Sequence, residues 1–129
     1  MKCIIDSYAW IEYLEGSKLG EKVREMIINE NNEIFSLNLC IAEVVSKAKR
    51  KNLDVETAFK AININSRVVE VTPEIAKKAG LFHAEIRSKI KDFGLVDALI
   101  LMLARELNAK ILTGDPHFKD YKEAIFMKK

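Results

Sequence analysis

Two cysteines, two prolines and five glycines are all that 129 residues hold of those types, and no long hydrophobic run occurs. The longest uninterrupted apolar stretch, Ala98 to Ala104, falls far short of the roughly 20 residues needed to cross a bilayer. The opening Met1-Lys2-Cys3-Ile4-Ile5 meets an acid at Asp6, which leaves no apolar segment of signal-peptide length there. No membrane association and a cytoplasmic location are therefore expected. Cys3 and Cys40 lie apart in apolar stretches, without a Cys or His neighbour at metal-ligand spacing, and read as buried thiols of a reducing compartment.

Neither charge sign dominates. With 21 Lys and Arg against 19 Asp and Glu, the net charge of +2 is too small to imply a polyanion partner by itself. Only two histidines occur, His83 and His117, and neither has a motif around it that would suggest a Ser-His or Cys-His nucleophile. A phosphate-cradling glycine loop is also missing, which weakens the reading as an enzyme of small phosphates. Low-complexity tracts, repeats and linker-like shifts are absent, so residues 1–129 are expected to form a single domain.

Nearly half of the residues are hydrophobic, enough for one sizeable core. Short apolar runs at Cys3 to Ile5, Ile34 to Leu37, Val68 to Val71, Ile111 to Leu112 and Ala124 to Met127 have strand length. Between them, Leu19, Val23, Met26 and Ile27 share a helical face, as do Leu39, Ala42, Val45 and Ala48. Asp54 is placed to cap a helix burying Val55, Ala58, Phe59 and Ile62. Thr72-Pro73 reads as an N-cap and first helical position of a helix reaching about Ile90. Leu95 to Leu107 is apolar nearly all round, a helix packed on two sides. Strands alternating with helices predict an α/β fold of three layers, with a central, mainly parallel sheet of about five strands. Ligand sites in such sheets form beyond the carboxyl ends of the strands.

Four acids stand out against this pattern. Asp6 follows the first strand, Asp115 follows Ile111-Leu112 after Thr113-Gly114, Glu43 edges an apolar helical stripe, and Asp97 sits inside the most apolar segment. Each also has an ordinary local reading. Asp6 and Asp97 suit helix starts, Asp115 suits a turn, and Glu43 is spaced to pair with Lys47. Convergence on one sheet edge favours function. Carboxylates about 5 Å apart repel by roughly 3 kcal/mol per pair at an effective dielectric of 20, a cost that a divalent cation removes. All-oxygen ligation suits Mg²⁺ or Mn²⁺, either of which can lower the pKa of a water for phosphodiester displacement.

The ordered motifs Ile5-Asp6-Ser7, Ala42-Glu43-Val44, Asp97-Ala98-Leu99-Ile100 and Thr113-Gly114-Asp115-Pro116-His117-Phe118 resemble those of the PIN-domain family over essentially the whole chain. The likeness is strongest to the VapC-type toxins of toxin-antitoxin pairs. It implies a metal-dependent ribonuclease whose catalytic and metal-binding residues are Asp6, Glu43, Asp97 and Asp115, with Ser7 and Thr113 as supporting hydroxyls. It also implies cleavage to a 5′-phosphate and a 3′-hydroxyl, a cognate antitoxin partner and a homodimer. Some members carry a further acid where His117 stands. His117 reads rather as a loop or capping residue, and Asp92 and Asp120 as solvated loop charges. The alternative is a catalytically silent PIN-like module that binds RNA or protein.

Lys47 and Arg50 follow Glu43 by one and two helical turns and are the candidate RNA-phosphate contacts. They read equally as a basic helix end complementing the dipole. Arg87, Lys89 and Lys91 form a second basic group. Tyr8, Trp10 and Tyr13 cluster in the first helix, and Trp10 and Tyr13 are the candidate anchors for an antitoxin, with plain core packing as the other reading.

Overall fold

The computed structural model describes residues 1–128. Along the chain run β1 (Lys2–Ile5), α1 (Ser7–Glu15), α2 (Lys18–Ile28), β2 (Glu33–Leu37), α3 (Asn38–Arg50), α4 (Val55–Asn65), β3 (Arg67–Val69), α5 (Pro73–Arg87), α6 (Leu95–Leu107), β4 (Lys110–Thr113), a 3₁₀ turn (Pro116–Phe118) and β5 (Ala124–Phe126). The five strands form one sheet in the order β3-β2-β1-β4-β5, and every neighbouring pair is parallel. The expected sheet is thus fully parallel. None of the described helices is long and apolar enough to cross a membrane.

Alternation along the strands divides the core in two. Ile4, Phe35, Leu37 and Ile111 join residues of α5 and α6 on one face. Cys3, Ile5, Ile34 and Leu112 join residues of α1, α2, α3 and α4 on the other. Both faces are covered, which is why the strands read as nearly continuous apolar runs. Winding proceeds outward from β1 through β2 to β3, then resumes on the opposite side with β4 and β5. The direction reverses between β1 and β4, and the carboxyl ends of those two strands flank the crevice that such a reversal opens.

Several details depart from the sequence reading. The buried row of α3 is Cys40, Val44 and Ala48, while Leu39 and Ala42 are exposed. Of the predicted stripe only Ala48 is buried, with Val45 half-buried. Phe59 is 45% exposed, because Ala58 and Ile62 alone supply the buried face of α4. The third strand begins and ends earlier than Val68 to Val71, and α5 stops at Arg87. Cys3 and Cys40 are both buried and free, and burial pushes the Cys3 thiol up to about 12 and the Cys40 thiol upward as well. Such thiols are poor nucleophiles at neutral pH.

Trp10 is not a surface anchor. It is fully buried among the α1–α4 side of the core, and its Nε1 donates to Ser36 Oγ at 2.9 Å. That hydroxyl also pairs with Ser66 Oγ at 2.8 Å, so the indole meets the polar need of a buried strand serine. The ring completes the core instead of waiting for a partner.

Two glycines set the corner between α1 and α2. Gly16 ends α1 in the left-handed conformation at φ 68°, and Gly20 lets α2 approach the first helix so closely that a Cβ there would lie 2.3 Å from the Glu12 carbonyl oxygen. Backbone is the obstacle, so relief requires parting the helices. Gly20→Ala is expected to destabilise the protein by about 1–3 kcal/mol, seen as a lower urea midpoint at unchanged m-value. An unchanged midpoint would mean that α1 and α2 separate freely.

Candidate active site

The crevice between β1 and β4 is organised by Thr113. This residue is fully buried at the end of β4, and its hydroxyl donates to Asp6 Oδ2 while accepting from the Asp115 amide at 2.9 Å. Asp6 is 3% exposed and caps α1, its Oδ1 accepting from the Ala9 amide at 2.8 Å. Both oxygens of Asp6 are thereby engaged. Asp115 caps the 3₁₀ turn, its Oδ1 accepting from the His117 amide at 2.9 Å.

Asp97 enters from α6, where its Oδ2 accepts from the Gly94 amide at 3.2 Å across the first helical turn. The ordinary capping roles foreseen for Asp6, Asp97 and Asp115 are therefore all present, and each cap also aims its acid at the crevice. His117 joins them. Its Nδ1 lies 2.9 Å from Asp115 Oδ1 and 3.7 Å from Asp97 Oδ2, and its Nε2 lies 3.2 Å from Asp92 Oδ1. Reading His117 as a capping residue of the loop missed this, because the 3₁₀ turn folds it back over Asp115. The sequence signals were its position two residues after that acid and the further acid that some PIN-like members carry there.

Donor atoms of Asp97, Asp115 and His117 all fall within 4.8 Å of one another, a spacing that fits one cation. Asp6 stands behind this trio as its buried support. The acids are crowded together and partly withdrawn from water, and His117 only partly opposes the rise at Asp97. Burial, with the Asp115 charge next, pushes Asp97 up to about 6, and burial pushes Asp6 up to about 7 against the opposing Thr113 and Ala9 hydrogen bonds. The donor set therefore suits a divalent cation.

Glu43 is on the exposed side of α3 and outside the compact trio, although its charge reaches Asp97. With Asp115 it lines a groove of about 560 Å³ whose walls include Ser7, Tyr8, Lys47 and Arg50. The expected Glu43–Lys47 ion pair is not among those of the described residues. Gly114 packs directly beneath Tyr8, since a Cβ at that position would meet the ring carbon Cε1 at 2.3 Å. Tyr8 thus belongs to the groove wall, a role its place in the first helix did not reveal. Asp120, Arg87, Lys89 and Lys91 are exposed and line no part of the groove.

The sequence model of the PIN domain matches residues 3–124. The chain belongs to the PIN domain family. This PIN domain superposes on a chain of a toxin-antitoxin complex from Klebsiella pneumoniae with a TM-score of 0.74 at 17% identity, covering 95% of either chain. A sarcin-ricin-loop-cleaving VapC toxin from Mycobacterium tuberculosis gives 0.74 at 17% identity over 93% of this chain and 95% of that one. A DNA-bound VapBC structure from Salmonella typhimurium gives 0.73 at 18% identity, over 98% and 97%. At such identities these likenesses speak for the fold. No curated protein matches the sequence.

The raised carboxyls make the stability of this PIN domain depend on pH. Unfolded, Asp6 ionises near 3.8, whereas the folded protein keeps the proton up to about 7. Between those values the folded state binds more protons, so stability falls as pH rises and the loss is complete above 7. Asp97 adds to the same slope below about 6. In chelator, the urea midpoint is expected to drop between about pH 5 and pH 8, and Asp6→Asn is expected to flatten the drop. A midpoint that rises over that interval would mean that the Thr113 and Ala9 hydrogen bonds outweigh burial.

Proposed function

We propose that this PIN domain is a Mg²⁺- or Mn²⁺-dependent endoribonuclease and the toxin of a toxin-antitoxin pair, held silent by a cognate antitoxin protein. The observation that carries the reading is the convergence of Asp97, Asp115 and His117 at the β1–β4 crevice beside a groove bearing Lys47 and Arg50. Likeness of fold to the sarcin-ricin-loop-cleaving toxin supports RNA as substrate, and likeness to toxin-antitoxin complexes supports the partner. A homodimer belongs to the same reading.

Asp97 and Asp115 would hold the cation, with Asp6 and Thr113 fixing Asp115 from behind. When bound, the cation supplies a water of lowered pKa and positive charge for the phosphate. Glu43, across the groove, orients that water or shares the cation. Lys47 and Arg50 take the neighbouring phosphates, which positions the scissile bond without reading bases. Hydrolysis then places the water oxygen on phosphorus, breaks the P–O3′ bond and protonates the departing 3′ oxygen. The products are a 5′-phosphate and a 3′-hydroxyl.

The direct test is cleavage of a mixed cellular RNA pool with Mg²⁺ or Mn²⁺, comparing the parent with Asp97→Asn. Loss of at least a hundredfold in rate is expected, on the order of 3 kcal/mol of barrier. Equal cutting by both proteins, or no cutting by either, would favour the silent binding module. For the phosphate contacts, Lys47→Ala with Arg50→Ala is expected to raise KM severalfold and to weaken the salt dependence, leaving kcat nearly unchanged. A fall in kcat alone would put these side chains at the reacting phosphate.

A further inference from the structure

His117 combines a buried nitrogen without a hydrogen-bond partner and a carboxylate on its far side. Nδ1 lies 2.9 Å from Asp115 Oδ1, yet no hydrogen bond satisfies it. Nδ1 therefore faces Asp97 and Asp115 with its own hydrogen-bonding capacity unused. Asp92 Oδ1 lies 3.2 Å from Nε2, on the opposite ring nitrogen from the one that faces Asp97 and Asp115. Metal-bound imidazoles are commonly oriented by a carboxylate in this way. The ring is further held by an edge-on contact with Phe93 at 5.8 Å between centroids and by the backbone turn that ties His117 to Asp115.

We propose that His117 is a ligand of the cation through Nδ1, completing with Asp97 and Asp115 a nitrogen-containing site that selects Mn²⁺ over Mg²⁺. The inference rests on the reading of this crevice as a metal site. Imidazole suits the transition cations, whereas Mg²⁺ keeps to oxygen and to its own waters. A histidine among two carboxylates therefore biases the site away from Mg²⁺, and Asp92, itself 83% exposed, acts as a positioning residue for the ring. A protonated His117 would instead be a resident counter-charge that competes with the cation, and the two arrangements differ in what removal of the ring does.

Mn²⁺ and Mg²⁺ are titrated calorimetrically into the full chain, and the Mn²⁺ complex is examined by pulsed electron paramagnetic resonance for coupling to ¹⁴N. In the parent, Mn²⁺ is expected to bind about tenfold tighter than Mg²⁺, with ¹⁴N coupling present. His117→Asn is expected to abolish the coupling and to weaken Mn²⁺ about tenfold while Mg²⁺ changes little. Asp115→Asn weakens both ions. His117→Gln, with circular dichroism, guards against a folding defect in the first variant. Mn²⁺ bound without ¹⁴N coupling in the parent, coupling that persists in His117→Asn, or tighter metal binding in that variant would each overturn the ligand assignment and leave the metal site standing. No binding of either ion to the parent would overturn the metal-site reading itself, and this inference with it.

Discussion

A single hydroxyl joins the two central strands where the sheet reverses its direction of winding. Thr113 donates to Asp6 at the end of β1 and accepts from the amide of Asp115 beyond β4. Remove that hydroxyl and Asp6 loses the donor that eases its burial, while the Asp115 amide loses its acceptor inside the crevice. Desolvation already favours the neutral form of Asp6, so the fold holds this carboxyl in place by hydrogen bonds that favour its charge. Burial still outweighs those hydrogen bonds and keeps the Asp6 carboxyl well above the usual carboxylate range.

The other acids follow the same economy. Asp6, Asp97 and Asp115 each accept a backbone N–H at the start of a helix or turn, from Ala9, Gly94 and His117 respectively. Capping normally serves only the element that is capped. In this fold three element starts meet at the reversal between β1 and β4, so local capping and the assembly of a charged site become one arrangement. Each cap restricts its carboxylate to a narrow set of orientations, and that preorganisation is what a cation or a phosphate would otherwise have to impose.

Much of this was legible in the chain because strong local signals agree with the global fold. Five apolar runs of strand length became five strands, and the acids following Ile5 and Thr113 proved to flank the crevice. Errors arose where two periodicities compete. In α3, the rows Leu39-Ala42-Val45-Ala48 and Cys40-Val44-Ala48 both satisfy helical spacing and share Ala48, and only packing against the sheet selects the second. Trp10 was ambiguous for a similar reason, since the hydroxyl that satisfies its indole comes from Ser36, far away in sequence. Phe59 likewise met the spacing rule while Ala58 and Ile62 filled the space.

His117 shows the deeper reason for what pattern cannot reach. Its contribution depends on two distances that no spacing encodes, one to Asp97 on α6 and one to Asp92 in the stretch before it. A place in the capped turn and a side chain facing the site are also not exclusive alternatives here. The His117 amide donates to the capping carboxylate of Asp115 while the ring of the same residue turns back toward that carboxylate, so backbone and side chain serve the site separately. Sequence reasoning weighs one role per residue, but a tight turn after a strand can give a residue two. Such turns at the carboxyl edge of a parallel sheet are therefore where site residues outside the expected motif positions should be sought.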